Sequence, residues 1–289
     1  MKFIAEIGSN HNQDLRRCID LIDTAAAIGC DGVKFQFFRI ETLYAPEILE
    51  RSTKHRALKD RELPLEWLPF IKDRCKEKGL ELGITPFAIS DIDVIRPYVD
   101  FIKVASYELL WLDFLKAIGE TRLPVVLSTG MATMREICAA TKMFPRPDEW
   151  ELFEYYNLTL LHCVSGYPAP DSQANLSAIG ELQEFLPFPV GYSDHTVSPA
   201  VIYRAVHRWD ADMIEFHLDL DGKGAESGHG HCWLPDQIEP VIRNVRMGIA
   251  CDGDGEKRPQ PCEVEDMIWC TDPFDGLRPR ISARKDFTA

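Results

Sequence analysis

Short runs rich in alternating apolar and polar residues, separated by helix-length amphipathic stretches, recur along the chain. The runs are KFIAEIG (2–8), DGVKFQFF (31–38), ELGITPF (81–87), DFIKVAS (100–106), PVVLSTG (124–130), NLTLLHCVS (157–165), FPVGYSD (188–194) and DMIEFHLD (212–219). Their length and β-branched content predict strands. Between them, LRRCIDLIDTAAAIG, LEWLPFIKDRCKEKG, LLWLDFLKAIGE and AVIYRAVHRW place apolar residues three and four apart, the spacing of one-sided helices. Gly29 and Gly79 stand where helix C-caps are wanted. Eight strand–helix units predict an α/β fold, a (β/α)8 TIM barrel. The doubly wound open sheet is the alternative; it normally uses fewer strands, and no Gly-x-Gly-x-x-Gly follows the first run.

Strand side chains alternate faces, so within each run the polar set can be separated from the apolar set. Lys34 and Gln36 oppose Val33 and Phe35, and Lys103 opposes Ile102 and Val104. Glu6 opposes Ala5 and Ile7, while Glu215 and His217 oppose Ile214 and Phe216. The other runs also finish polar, at Thr85, Ser106, Ser128, Ser165, and Ser193 with His195. The apolar set packs under the helices and the polar set points into the barrel. There it gathers at the C-terminal strand ends, where barrel active sites lie.

Composition narrows what that ring could serve. A formal charge of −14 over 289 residues argues against nucleic-acid or anionic-membrane surfaces, which need clustered Lys and Arg. A small anionic substrate stays open, because a site answers to its local charges. Nine cysteines without a Cys-x-x-Cys pair read as reduced thiols in a reducing compartment. The opening MKFIAEIGSN has no apolar leader, and no run approaches the ~18 apolar residues of a membrane span, so a cytoplasmic protein is expected.

Two lysines on separate strands among Ser and Thr hydroxyls suit a phosphate or carboxylate. A Schiff-base lysine, as in pyruvate aldolases, is the rival reading. His195 and His217 fall on strands seven and eight, neighbours in a closed barrel, and could chelate a divalent ion. The other histidines are weaker candidates. His55 and His207 look like surface helix residues, and His162 has the wrong strand parity. His229 and His231, in GHGHCW, fit a mobile loop as well as a ligand loop.

In order and spacing, these segments resemble the sialic acid (N-acetylneuraminate) synthase family. The matching stretches are AEIGSNHNQD (5–14), GVKFQ (32–36), TPF (85–87), FIKVASYE (101–108), LSTGMAT (127–133), LHCVSGYPAP (161–170), GYSDHT (191–196) and EFHLD (215–219). The resemblance implies the same barrel and a metal-dependent condensation of phosphoenolpyruvate with an N-acyl hexosamine or related aldose. The product would be a sialic-acid-like 2-keto-3-deoxy sugar acid, with phosphate released. It further implies that Lys34, Thr85, Lys103, Ser106, Ser128 and Ser193 hold phosphoenolpyruvate, with Ser165 where relatives often have asparagine. His195 and His217 would bind the ion, usually manganese, with Mg2+ or Co2+ as alternatives. Glu6 and Glu108 would lie beside metal and acceptor, with Gln36 and Tyr167 near the sugar. Either carboxylate could handle protons, and a homodimer is implied.

Two departures accompany the resemblance. Family members usually continue into an antifreeze-protein-like domain whose arginine reaches the acceptor across a dimer. Here residues 1–250 are expected to form the barrel, and 251–289 a tail too short and irregular for that domain. The family's Gly-x-Asp-His loop after strand eight reads GAESGHGHCWLP (224–235), with Gly228 where the aspartate would fall and Glu226 nearby. Besides the aldolase, a binding barrel without catalysis is the alternative outcome.

Overall fold

The computed structural model describes residues 1–144 and 158–285. Eight strands run parallel in chain order: β1 (Lys2–Glu6), β2 (Gly32–Phe37), β3 (Glu81–Pro86), β4 (Phe101–Val104), β5 (Val125–Ser128), β6 (Leu158–Cys163), β7 (Val190–Asp194) and β8 (Met213–Leu218). β1 also pairs with β8, with Glu6 beside His217, and this closes the barrel. Each strand falls within its predicted run; only Asn157, the first residue of the sixth run, lies outside the described residues. The fold is therefore the expected (β/α)8 barrel. A two-residue strand was not foreseen: β9 (Cys232–Trp233) pairs in parallel with the end of β8, Cys232 opposite His217.

Among the described residues, eight helices of seven or more residues accompany the strands: α1 (Leu15–Ala27), α2 (Leu68–Lys78), α3 (Ile89–Ile95), α4 (Leu112–Glu120), α5 (Met134–Thr141), α6 (Ser177–Phe185), α7 (Pro199–Trp209) and α8 (Pro235–Cys251). Local chemistry sets their ends. The Asp14 carboxylate accepts from Arg16 N at 2.8 Å and starts α1, and a Thr133–Glu136 capping box starts α5. α2 ends on Gly79 in the left-handed region, φ 71°. Each helix turns one stripe inward, as α1 does with Cys18, Leu21, Ile22 and Ala25.

Strand parity divides the core as the alternation predicts. Phe3, Ala5, Val33, Phe35, Ile102, Val104, Ile214 and Phe216 join the large cluster between sheet and helices. The opposite face supplies a separate small cluster of Ile4, Phe101, Val126, Leu161 and Met213 inside the barrel. Bulk there is balanced by glycine: a Cβ added to Gly83 would lie 2.2 Å from the Phe101 ring. This apolar plug fills the N-terminal end, and the polar residues are stacked above it on the same faces.

The chain divides into two compact units, Met1–Arg246 and Met247–Ala289. The second has no strand among its described residues; it takes in the last residues of α8 and continues in short helical turns. It is organised by Asp272, whose carboxylate accepts from Phe274 N at 3.0 Å and Ile281 N at 2.8 Å. Among the described residues, no helix is long and apolar enough to cross a membrane.

Candidate active site

Immediately above the plug lies a buried layer of charge. Lys34 forms an ion pair with Glu6 and donates to Thr85 Oγ1 at 3.0 Å; Gln36 Nε2 donates to Glu6 Oε1 at 3.0 Å. Across the barrel, Lys103 donates to Ser128 Oγ at 2.6 Å and to Val104 O at 2.8 Å. Its Nζ also lies 3.9 Å from Glu215 Oε1, the oxygen that accepts from Ser193 Oγ at 3.0 Å. Both lysines are almost completely buried. Burial works against the Lys34 charge, but Glu6 and Glu215 outweigh it and raise its pKa. Burial, aided by Lys34, instead lowers Lys103. Burial alone would raise Glu215, yet Lys103 and Lys34 bring it below its usual value. Two lysines and two glutamates thus share one buried layer, and the hydroxyls of Thr85, Ser128 and Ser193 line it.

A second group forms where β4, β5 and β6 end. Ser106 Oγ accepts from Gly130 N at 3.0 Å and lies 3.5 Å from Cys163 Sγ, which is 3.9 Å from Ser165 Oγ. A Cβ on Gly130 would come within 2.5 Å of Ser165 Oγ and 2.8 Å of Ser106 Oγ. The missing side chain leaves two hydroxyls facing one small space. Glu108 belongs to the turn Ser106–Glu108; its Oε2 is buried without a partner, and burial raises its pKa to about 7.

Imidazoles crown the mouth. His195 Nδ1 is 2.8 Å from Val164 O, and His217 Nδ1 is 2.8 Å from Glu226 Oε2. Both acceptors lack hydrogens, so each ring carries a proton on Nδ1, and Nε2 holds the lone pair when the ring is neutral. Burial, with His217 nearby, lowers His195 to about 3, and the ring is neutral at pH 7. Burial also works against a charge on His217, but Glu226 reverses this and raises it. The two rings stand 5.4 Å apart between centroids, and Tyr167 lies 4.2 Å from His195. Asp194, whose side chain alternates away from the mouth, accepts from Thr196 N, Val197 N and Trp233 Nε1 and shapes the turn carrying His195.

The predicted residues therefore gather in three neighbouring groups: Glu6, Lys34, Gln36 and Thr85 with Lys103, Ser128 and Ser193; Ser106, Ser165 and Glu108; and His195, His217 and Tyr167. Three further residues join them that the sequence reading noted without giving them a role in the site. Glu215 has the inward parity of His217 and was legible by that signal. Glu226 and His231 lie in an aperiodic loop, where no parity could say which way they point. Glu226 is clamped: Oε1 accepts from Ser9 N at 2.7 Å, and its own N–H donates to Asn10 Oδ1 at 2.9 Å. His231, which the sequence left as one of two loop histidines, is buried with its ring 4.5 Å from that of His217. Ligand atoms of His217, Glu226, His231 and Cys232 all lie within 4.8 Å of one another. His195 stands beside this group. Free imidazole nitrogens in a buried, carboxylate-flanked mouth fit a borderline divalent cation.

A family model described as the NeuB family matches residues 21–257. The chain belongs to the NeuB family. It is 32% identical over 272 residues to the N,N'-diacetyllegionaminic acid synthase of Legionella pneumophila, covering 90% of this chain and 76% of that protein. It is 31% identical over 276 residues to the N-acetylneuraminate-9-phosphate synthase of Mus musculus, covering 90% and 74%. Among solved structures, the N-acetylneuraminic acid (sialic acid) synthetase of Leptospira borgpetersenii superposes with a TM-score of 0.78 at 29% identity, covering 91% and 89%. In this NeuB chain the matched span includes every strand from β2 to β9 and therefore most of the polar mouth.

Proposed function

We propose that this chain condenses phosphoenolpyruvate with an N-acyl hexosamine or a related aldose, releasing phosphate and a sialic-acid-like 2-keto-3-deoxy sugar acid. The observation that carries this reading is the buried layer of Lys34 and Lys103 with their hydroxyl neighbours, set beneath two imidazoles that offer Nε2. A ligand bearing both phosphate and carboxylate has enough oxygens to satisfy two lysines and several hydroxyls at once. The synthases named above lend the reading its reaction class.

In this mechanism Lys34, Lys103, Thr85, Ser128 and Ser193 bind phosphoenolpyruvate, and Ser106 and Ser165 complete the cradle around Gly130. His195 and His217 would hold a divalent ion, manganese first and Mg2+ or Co2+ as alternatives, which supplies Lewis acidity to the acceptor's carbonyl. C3 of phosphoenolpyruvate bonds to the aldehyde carbon, whose oxygen takes up a proton. Water adds at C2, and the bond from C2 to the phosphate oxygen then breaks. The lysines stabilise the departing phosphate. Glu108, with a pKa near neutrality, is suited to exchange protons with the attacking water, and Glu6 orients Gln36 toward the acceptor. Nine free thiols suit the reducing cytoplasm as the compartment.

Phosphate release from phosphoenolpyruvate with Mn2+ and a panel of N-acyl hexosamines and their 6-phosphates tests the proposal. Release that depends on one of the aldoses supports it. No release with any aldose, together with no phosphoenolpyruvate binding, overturns it.

A further inference from the structure

His231 has no task in the mechanism above, yet it is built into the mouth with care. The residue is 3% exposed, and its Nδ1 is buried without a hydrogen-bond partner. Nε2 faces Glu226 Oε2 at 3.7 Å, beyond hydrogen-bond length. An imidazole nitrogen kept out of water without a partner is costly unless something else engages it. Its position is fixed: β9 begins at the next residue, and its pairing with β8 sets Cys232 opposite His217. The ring is 4.5 Å from that of His217, 6.3 Å from that of His195 and 5.0 Å from that of Tyr167.

Glu226, the other strong donor nearby, already has both oxygens in use, one on Ser9 N and one on His217 Nδ1. Cys232 Sγ is taken up by Asn10, whose Nδ2 donates to it at 3.5 Å. The unused donor is His231 Nδ1.

Resting on the metal-dependent reading above, we propose that His231 is a third protein ligand of the divalent ion, through Nδ1, beside Nε2 of His195 and of His217. Three imidazoles from β7, β8 and the segment entering β9 would grip the ion from the protein side and leave the acceptor side open. Such a set favours borderline ions such as Co2+ and Zn2+ over Mg2+.

The test uses the full chain stripped with chelator and titrated with Co2+ alone, read by calorimetry and by the visible d–d absorption. The wild type should bind one ion, and both H231A and H231Q should bind at least tenfold more weakly with an altered spectrum. H207A, at an exposed histidine on α7, should match the wild type. X-ray absorption of the Co2+-loaded wild type should count three imidazoles, a readout independent of whether the variants fold. Two imidazoles, or unchanged Co2+ affinity in both folded variants, would overturn the role of His231 and leave the metal reading standing. No Co2+ binding by the wild type would overturn both.

Discussion

His217 donates its Nδ1–H to Glu226 across 2.8 Å, and Glu226 is itself held by Ser9 N from the loop after β1. A residue at the end of β8 is thereby oriented through the two strands that close the barrel. The backbone of Glu226 is tied to Asn10, whose Nδ2 donates to Leu218 O at 2.9 Å, and Arg17 holds Asn10 O and Asp219 in the same cluster. The sequence SN at 9–10 thus acts on a histidine more than two hundred residues away.

E226Q should weaken divalent-ion binding by about 10- to 100-fold, the usual effect of losing a carboxylate behind a ligating histidine. Glutamine can accept from only one side, so either Ser9 N or His217 Nδ1 would face an amide N–H. Calorimetric titration with Mn2+ measures the change. Affinity equal to wild type would mean that Glu226 does not set the His217 tautomer.

Lys34 and Glu6 form a buried ion pair, so removing one partner strands the other. K34M should cost about 3–5 kcal/mol of stability, and the double variant E6Q/K34M should recover a large part of it. Urea denaturation of the four proteins closes the cycle. Additive effects of the two substitutions would show that the pair is not coupled. Both variants should lose phosphoenolpyruvate binding, which separates the folding role of the pair from its ligand role.

Glu108 makes a prediction about pH. Burial raises its pKa from the usual 4.5 to about 7 in the folded chain. A carboxyl with a raised folded pKa contributes fully below the unfolded value, and that contribution is lost as pH rises through the folded one. Wild-type stability should therefore fall, relative to E108Q, between about pH 4.5 and 7. The gap reaches up to about 3 kcal/mol and is flat above that range. Denaturation midpoints of the two proteins at pH 5, 6, 7 and 8 measure it. A constant difference across the series would show that Glu108 titrates normally.

The plug beneath the charged layer is equally specific. Gly83→Ala places a methyl against the Phe101 ring and should destabilise by about 1–3 kcal/mol, with partial rescue in G83A/F101L. Thermal denaturation of the single and double variants checks both halves of the expectation. G83A as stable as the wild type would mean that the ring moves freely.

What could be read from sequence follows the physics of the strands. A period of two shows itself within four to six residues, so the faces of Lys34, Lys103, Glu215 and His217 follow from the sequence. Gly79 was legible as a cap because only glycine reaches φ 71° without strain. The loop after β8 carries no period. Glu226 and His231 are positioned by hydrogen bonds to Ser9 and Asn10 and by a two-residue strand, β9, too short to leave a pattern. Glycines around GHGHC left a mobile loop and a ligand loop equally open, and the register of Cys232 and Trp233 with β8 fixes where the segment ends. The layered charge pairing was hidden for a different reason: parity says which residues point inward, but not that Lys34 takes Glu6 while Lys103 lies nearest Glu215.

The rival Schiff-base chemistry is tested by the surroundings of the lysines. An imine requires a neutral, unencumbered amine that can reach a keto carbon. Lys103 has a lowered pKa, which favours that chemistry, but its Nζ is committed to Ser128 Oγ and Val104 O within 2.8 Å. Lys34 is raised by its carboxylate neighbours and bound to Thr85 and Glu6. Neither amine is both neutral and free. Borohydride with pyruvate should leave the activity and intact mass unchanged, while phosphoenolpyruvate should protect the protein against thermal unfolding. Mass added at Lys34 or Lys103 would reverse the assignment. The lysines would then be nucleophiles rather than anion-binding groups, and phosphate release would not accompany turnover.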